Sequence, residues 1–540
     1  MGTTADKLQA VVTSKEEIRL AIAGKGVSIP EETTLAEYPA KITAIPTGGG
    51  GSTWTAPADW IQLEEPADNE ILMLTCDLNT EFDFTVTCVG GYTVNWGDGF
   101  VENIASGATA RHDYASGTGT PCSRGYTTFK VRVYAQNPSN PITRIVPAWR
   151  LTYLSSGLLW ARLGTTGLTS LASAFFSYSI QYDFLEKVSL PNELPNCTSF
   201  SNAFTNADSL QAVDMPSVYS SSPISFYETF SNCIALSSID YRVAELAVSS
   251  FNSVHNQNKA LVSAKLPDIV NGCSSFNSAF AGTQSLGSLK LPVINTNTIA
   301  AQMVNNSRVL RLEFDSSWDG RITEMSSFAS NVLEIINMPS SIAVAGTGSA
   351  IFAGQKFMAA VRVPDPLVGT FTAPTGMFSS CSHLKTISNF PALPDATSIN
   401  QTFYNCFNLK YVDNLDQLGN TTSNMDLSGT YQSCYNLETI VCRNKVTSAF
   451  NCFGSSTIPA KLSSLLFTNP NPVSTWAAGN MVNVQYCNMD ATALNAMFTS
   501  IVATSAPGAL SGKTVRVFGN PGAATCDTSI ITSQGGFVTI

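Results

Sequence analysis

The stretch "CSSFNSAFAGTQSLGSLKLP", Cys273 to Pro292, repeats an earlier stretch of the chain, "CTSFSNAFTNADSLQAVDMP", Cys197 to Pro216. Cys, Ser, Phe, Ala, Phe, Ser, Leu and Pro recur at identical spacing, and Val213 in one copy matches Leu289 in the other. Two such copies indicate a repeat architecture, because self-similarity at a fixed period is the signature of stacked, equivalent units.

The repeat extends well beyond these two copies. Alignment on the pattern L-x-x-φ-x-φ, where φ is apolar, finds eleven units that follow one another at steps of 23 to 28 residues, most often 25. A unit this short cannot bury its own apolar side chains, so we predict a solenoid of about eleven coils whose short strands form a parallel sheet. The aligned inward residues are Val188, Val213, Ile239, Ala264, Leu289, Leu312, Ile336, Val361, Ile387, Val412 and Ile440.

The other half of each unit reads F-x-x-C-x-x-L, as in "TFSNCIALSSI" and "TFYNCFNLKYV", and is predicted to turn the coil and bury Phe and Leu. Cysteine at one place in a repeat is expected to act as a small buried apolar residue, so we expect mostly reduced thiols among the 13 cysteines. Over residues 150–445 the pattern resembles the BspA-type leucine-rich repeats. Two units depart from it, since "SVHNQNKAL" puts Val254 where Phe is expected and "QMVNNSRVL" lacks the Cys.

Residues 54–149 show a different pattern, with alternating apolar and polar residues that predict the strands of a β-sandwich. Trp96 is expected to fill its core, and Asp98 to cap the following turn. The phrase "YTVNWGDG", followed by "HDY" and "YTTFKVRVY", resembles the PKD/immunoglobulin-like β-sandwich family. That resemblance implies a spacer or a sugar-tolerant binding module and no particular chemistry.

Residues 1–46 form a short first unit, in which Ser14 and Glu17 make a capping box that opens a helix. So few residues bury too little to be stable alone, and the Gly-rich segment 47–53 after them is a flexible linker. The unit resembles a small α/β module near the start of many bacteriophage tail-fibre and other virion proteins, which implies a virion-anchoring role. The matching residues are Lys15, Ile18, Ala21, Ile22, Lys25, Gly26, Val27, Tyr38, Lys41 and Ile42.

Residues 446–540 are predicted to cap the solenoid, because a stack of strands needs a terminal unit over its last open edge. Within them, "MDATALNAMFTSI" predicts a helix with Asp490 as its N-cap. The ending "GNPGAATCDTS" looks like the cap that follows BspA-type repeats in bacteriophage and gut-bacterial proteins. The predicted fold class is therefore mainly β and multidomain: a small α/β anchor, a β-sandwich, a leucine-rich-repeat solenoid and a C-terminal cap.

Composition and motifs narrow the possible functions. A net charge of −10 without any basic run argues against nucleic-acid binding, and no segment is apolar enough for insertion into a membrane. The three histidines lie in separate units, and the chain has no HExxH, GxSxG or P-loop motif. We therefore expect no enzyme activity, no cofactor and no metal site.

The outward-facing strand residues are the candidate binding site. They admit three interpretations: a solvated face of mixed charge, a recognition surface, or a glycosidase carboxylate pair formed by Asp214 and Asp240 as neighbours. Lys265 and Lys290 are likewise predicted to be neighbours, and a second outward row includes Ile335. The candidate binding residues are Asp214, Asp240, Lys265, Lys290, Arg311, Glu313, Arg362, Tyr411 and Asp413.

The order of anchor, linker, sandwich, solenoid and cap is that of a projecting adhesin. We expect a bacteriophage virion fibre or receptor-binding protein, assembled in the host cytoplasm and exposed on the particle, which binds other virion proteins through residues 1–46. Its solenoid would contact a host surface glycan or an outer-membrane protein, and a homo-oligomer such as a trimer would add avidity. The alternatives are a structural or decoration protein of the virion, a bacterial surface adhesin, and a polysaccharide depolymerase.

Overall fold

The computed structural model describes most of the chain from residue 54 onward. The described residues are 54–78, 81–115, 118–147, 157–176, 184–329, 332, 334–336, 339, 352–353, 360–362, 375–388, 398–412, 424–442, 445–448, 460–468, 481–505 and 507–540. The anchor predicted at residues 1–46 and the linker at 47–53 lie outside them.

Two antiparallel sheets follow residue 54 and pack face to face as a β-sandwich, with the ladder of β2, β5 and β8 opposite a larger sheet that contains β1, β3, β4, β6 and β7. Trp96 is fully buried between them, and the carboxylate of Asp98 accepts a hydrogen bond from the amide of Phe100 at 3.0 Å. Both expectations for this turn are confirmed. The strands β1 to β8 span Glu70–Cys76, Glu81–Cys88, Tyr92–Asn95, Val101–Ile104, Thr109–Asp113, Thr120–Pro121, Thr127–Ala135 and Ile142–Pro147.

The larger sheet continues into the solenoid without a break. Strand β9, Leu158–Leu163, pairs antiparallel with β1 on one side and parallel with β10, Lys187–Ser189, on the other. One core of buried side chains also runs from the sandwich into the coils. The sandwich and the solenoid, predicted as successive units, therefore share both a sheet and a core.

A strap of residues 54–65 covers the outer face of this shared sheet. Trp60 and Leu63 pack there against alternate residues of β1, which is buried on both faces. The indole Nε1 of Trp54 donates to the carboxylate of Glu186 at 3.2 Å, and Arg124 forms an ion pair with the same carboxylate. The strap therefore ties the first coil to the sandwich.

The described solenoid strands are short and pair in parallel between successive coils. Strands β10 to β34 span Lys187–Ser189, Glu193–Leu194, Ala212–Asp214, Val218–Tyr219, Ile224–Ser225, Ser238–Asp240, Glu245–Ser250, Ser263–Lys265, Ile269–Asn271, Ser288–Lys290, Val293–Ile294, Thr298–Ile299, Arg311–Glu313, Ile322–Glu324, Glu334–Ile336, Ala360–Arg362, Thr386–Ser388, Tyr411–Val412, Asn424–Asp426, Thr439–Cys442, Lys445–Ser448, Ser464–Phe467, Met481–Asn483, Thr514–Arg516 and Phe537–Thr539.

These strands confirm the predicted fold class, a mainly β protein with a solenoid of about eleven coils. The predicted inward residues face each other in the observed registers, as Val188 faces Val213 and Ile387 faces Val412. Ile336 is an exception and that prediction was wrong by one residue. Ile335 faces Leu312 and packs against the core, because the hydrogen bonds between the coils set the register and both candidate residues are isoleucine.

The turn half of each coil is also hydrogen-bonded to its neighbour. The amides of Phe200 and Asn202 donate to carbonyls of the next coil, Ser225 and Tyr227, at 2.8 Å each. Every second residue of the turn repeats this hydrogen-bond pattern.

Two residues in a turn adopt a positive φ angle, such as Asn202 at 55° and Asn206 at 60°. Asn and Gly tolerate this left-handed backbone better than other residues, which explains the recurring Asn, and Gly282 at the equivalent place.

Two stacks of aromatic rings run through the coils, with centroids 5.0 to 5.6 Å apart. Since each ring covers the next, no coil buries its own ring completely. The first stack contains Phe200, Phe226, Phe251 and Phe276, and the second contains Phe175, Phe204, Phe230, His255 and Phe280.

His255 occupies the place of the motif Phe in its coil, so the assignment of that place to Val254 was wrong. The imidazole stacks between Phe230 and Phe280, with ring centroids 5.3 Å away on each side. It is fully buried and lies 3.3 Å from the Tyr241 hydroxyl, and burial lowers its pKa to about 3. A neutral imidazole is flat and aromatic, which is why it can replace a phenyl ring in the stack.

The repeat cysteines are buried, as predicted, and no disulfide forms among the cysteines whose side chains are described. The Sγ atoms of Cys233 and Cys406 lie 3.0 Å from the carbonyl oxygens of Phe204 and Phe378 in the preceding coils. Burial raises the pKa of Cys434 to about 12. These thiols therefore add weak hydrogen bonds between coils and are unreactive while the protein is folded.

Stacking continues beyond residue 445, where the cap was predicted to begin, since Thr439–Cys442 pairs in parallel with Ser464–Phe467. Helix α1, Ala491–Thr504, begins at its predicted N-cap Asp490, whose carboxylate accepts from the Ala493 amide at 2.8 Å. Its apolar face, Leu494, Met497, Phe498 and Ile501, is buried. A short 3-10 turn at Ser316–Trp318 and helix α2 at Ser529–Thr532 complete the described elements.

Replacing one ring of the first stack tests its contribution to stability. We expect Phe226→Ala to lower the free energy of unfolding by about 3–5 kcal/mol, because it opens a cavity between two coils. The neighbouring exposed residue supplies the control, and Tyr227→Ala should change that free energy by less than about 1 kcal/mol. Urea unfolding followed by circular dichroism measures both values, and equal effects of the two substitutions would refute the stacking argument.

The buried imidazole predicts a dependence of stability on pH. His255 has a pKa near 6.5 when unfolded and about 3 when folded, so its burial is fully favourable above pH 6.5. As the pH falls from 6.5 towards 3, the unfolded state binds a proton that the folded state does not. This removes up to about 4 kcal/mol of stability. Unfolding of His255→Phe at pH 7 and pH 4 should show a smaller loss than the wild type, whereas the exposed His383→Asn should lose as much as the wild type.

Candidate functional site

The predicted binding residues lie along the outward face of the first strand in each coil, and Asp214 is the first of them. Its carboxylate accepts from Lys187 Nζ at 2.5 Å and from Ser189 Oγ at 2.8 Å, both in the preceding coil. Lys187 is nine-tenths buried, whereas the side chain of Asp214 is half exposed. Asp214 therefore serves as the counter-ion of a buried lysine.

Asp240 has a separate partner. Lys265 Nζ in the next coil lies 3.2 Å from its carboxylate, and the amide of Arg242 donates to it at 2.7 Å. Strands β12 and β15, which carry Asp214 and Asp240, belong to different ladders within the described sheets. The structure thus shows two carboxylates engaged by different cations and no shared pair between them.

The next charged residues also divide between ladders. Lys265 lies in the ladder of β15 and β17, and Lys290 in the ladder of β19, β22 and β24, although β17 and β19 are in contact in successive coils. Lys290 faces Glu313 in register, and Arg311 contacts Glu313 at 3.6 Å. Each of these charged residues lies beside one of opposite sign, which reduces the net field of this face.

The remaining predicted residues belong to later coils. Tyr411 is 57% exposed at the start of β27. The backbone of Arg362 ends β25, but its side chain is outside the described part, as is all of Asp413. The structure therefore places Tyr411 on the surface and does not test the other two.

A second row of surface residues was not predicted, although its members occupy one fixed place in the repeat. It consists of the residue that follows the Cys place of each motif, where the chain points away from the buried Phe and Leu. Apolar side chains stand exposed on it, since Ile234 is 40% and Phe407 39% exposed. We call this row the turn edge, and its described members are Asp208, Ile234, Lys259, Gln284, Arg308, Ser382, Phe407, Tyr435 and Ala460.

Within the turn edge, Phe407 and Tyr435 of adjacent coils stack with centroids 5.6 Å apart and planes inclined by 5°. Beside them, the carboxamides of Asn408 and Asn436 donate to backbone carbonyls of Ser382 and Phe407 at 2.7 and 3.1 Å. Rings and amides are thus fixed side by side on one exposed surface. Such a surface can bind a ligand by stacking and hydrogen bonds.

The sandwich holds one further cluster around its turn. His112 Nε2 lies 2.7 Å from Asp98 Oδ2, and its ring stacks between Trp96 and Phe100 at 4.9 and 5.4 Å. Across the described residues, no group of three or more His, Cys, Asp and Glu side chains could hold a metal ion. No helix of the described part is long and apolar enough to cross a bilayer.

Some solved structures show low similarity to this chain. Three of them are a leucine-rich repeat protein from Bacteroides ovatus (15% identity, 65% of this chain and 82% of that one, TM-score 0.31), a leucine rich cell surface protein from Faecalibacterium prausnitzii (18%, 57% and 79%, TM-score 0.28) and the pneumococcal vaccine antigen PcpA (12%, 69% and 84%, TM-score 0.36). No curated protein sequence matches the chain significantly.

A family model matches the sequence itself. The BspA type leucine rich repeat region matches in six copies over residues 165–273, 257–367 and 372–463. These segments cover more than half of the chain and coincide with the observed coils. The chain therefore belongs to the BspA-type leucine-rich repeat family.

Proposed function

We propose that this protein is a non-enzymatic attachment protein whose solenoid binds a partner on a cell surface. The observation that carries the proposal is the turn edge, where apolar and aromatic side chains stand exposed on a backbone that is hydrogen-bonded from coil to coil. Exposing such side chains costs solubility, and exposed apolar groups of this kind commonly mark binding surfaces. A fixed backbone also loses little conformational entropy on binding.

The strand face supports binding over catalysis. A glycosidase needs two carboxylates across one sugar, with one of them free to donate a proton. Asp214 is held by Lys187 and Ser189, and Asp240 by Lys265, so each carboxylate has its own partners and the two do not form a pair. These charges stabilise the coils and contribute polar contacts at the margin of a binding surface.

We further propose that the attachment serves a bacteriophage particle. The resemblance of residues 1–46 to virion modules supports an anchor on other virion proteins, with the linker at 47–53 giving reach. The PKD-like sandwich would act as a spacer, and several copies, for example in a trimer, would convert weak contacts with a host glycan or outer-membrane protein into avidity. The protein would then be located on the virion surface.

Removing the counter-ion of the buried lysine should affect stability. We expect Asp214→Asn to lower the free energy of unfolding by about 1–3 kcal/mol, because Lys187 would stay buried without its charged partner. Asp240→Asn is the matched control, and its loss should stay below about 1 kcal/mol because Lys265 is exposed. Thermal unfolding compares the stability of the two variants.

A separate assay tests the depolymerase alternative. Measurement of reducing ends on host envelope polysaccharide should detect no sugar release by the wild type. Sugar release that Asp214→Asn abolishes would instead establish a depolymerase.

Attachment itself is tested with the full-length chain, because a truncation at residue 150 would remove β9 from the shared sheet. Purified protein should bind the bacterium on which the particle grows and should reduce adsorption of the particle in proportion to the cell sites it occupies. Immunogold labelling with an antibody against the solenoid should decorate the particle surface. Labelled particles whose adsorption is unaffected by the purified protein would favour a structural or decoration protein, and unlabelled particles would refute the virion location.

A further inference from the structure

The stacked pair Phe407 and Tyr435 has uncovered sides along the turn edge. The equivalent residue in the preceding described coil is Ser382, and in the following one it is Ala460. Neither side chain is large enough to cover the outer face of a neighbouring ring. In contrast to the buried stacks, which continue from coil to coil, this stack ends in small residues and leaves Phe407 39% exposed.

Fixed polar groups border the two rings. Asn436 Nδ2 donates to the Phe407 carbonyl at 3.1 Å and lies 3.4 Å from Asn408 Oδ1, and Asn408 Nδ2 donates to the Ser382 carbonyl at 2.7 Å. These bonds hold both carboxamides at the surface next to the rings. A sugar ring needs this combination, because it presents apolar C–H groups on its faces and hydroxyls at its rim.

Exposed lysines lie in the coils that carry the pair, although the whole chain carries −10. The amide of Lys410 donates to the Lys385 carbonyl at 2.9 Å, which places these two lysines in adjacent coils, and the amide of Lys461 donates to the Tyr435 carbonyl at 2.7 Å. All three lysines are exposed, and none forms an ion pair within the described part of the chain. Among the described side chains of these coils, Glu438 is the one exposed acidic residue. A local excess of cations on an acidic protein favours an anionic ligand.

We propose that the turn edge around Phe407 and Tyr435 binds an acidic polysaccharide. The apolar face of a sugar ring packs on the exposed aromatic surface, the carboxamides of Asn408 and Asn436 bond its hydroxyls, and carboxylates of the sugar pair with Lys385, Lys410 or Lys461. This inference rests on the proposed attachment function and names the ligand class of its surface.

The test uses the full-length protein and three polymers of similar length: polygalacturonate as the acidic polysaccharide, dextran as a neutral one and polyglutamate as an acidic chain without sugars. Titration calorimetry should show binding of polygalacturonate, at least tenfold weaker binding of polyglutamate and none of dextran. Raising the salt concentration should weaken the binding of polygalacturonate, since the lysines are exposed.

Two variants separate stacking from charge. Phe407→Ser reproduces the residue of the preceding coil and should weaken polygalacturonate binding about tenfold, which corresponds to the loss of one aromatic contact. Lys385→Gln with Lys410→Gln should weaken it and reduce its salt dependence. Tyr227→Ser, which removes an exposed ring from another coil, should bind as the wild type does.

Three results would overturn the inference: equal binding of dextran, equal binding of polyglutamate, or wild-type affinity in both the Phe407 and the double lysine variants. If Phe407→Ser does not fold by circular dichroism, the double lysine variant decides alone, because its side chains are exposed and replaceable. Binding of host cells that polygalacturonate does not compete with would refute this ligand class and leave the attachment function standing. Binding of polygalacturonate through Phe407 without any binding of host cells would support the ligand class and refute the attachment function.

Discussion

The structure depends on hydrogen bonds and ring contacts that pass from each coil to the next. The amide of Phe200 finds its acceptor only in the next coil, and the ring of Phe226 is covered only by the rings on either side. An isolated coil would leave these donors unsatisfied and the rings in water, so its fold has no independent stability. This constraint explains why the first coil is joined to the sandwich through β9 and covered by the strap, and why stacking continues towards the C-terminal unit.

Sequence spacing predicted the parts of the fold that depend on repeated burial. The inward row from Val188 to Ile440 and the buried cysteines followed from the period, because burial restricts those places to small or apolar residues. At two places in the repeat, the predicted residue was one position away from the residue that the structure shows there. Ile335 and Ile336 are chemically identical, and His255 is a polar residue that becomes a flat neutral ring only when the stack buries it.

The candidate site was less predictable, since spacing gives the row of a side chain but not its partner. Asp214 and Asp240 are on the predicted strands, yet each reaches a lysine one coil away in opposite directions along the solenoid. Long lysine side chains permit either choice, and the local packing around Lys187 decides it. The turn edge could have been found from the sequence. The residue after the motif Cys is polar in several coils, so Ile, Phe and Tyr at the same place in other coils are unexpected. The continuous sheet between sandwich and solenoid has no sequence signal of its own, because β9 looks like any other apolar strand.

The similar stretches Cys197–Pro216 and Cys273–Pro292 lie three coils apart and occupy equivalent places in the stack. Recombination between the gene segments that encode them would delete three complete coils and rejoin the chain at matching points. The ladders and ring stacks would close again in register, whereas insertion of one residue in a strand would turn its buried row outwards. Loss or gain of whole coils would therefore change which surface residues stand next to one another while the core stays intact.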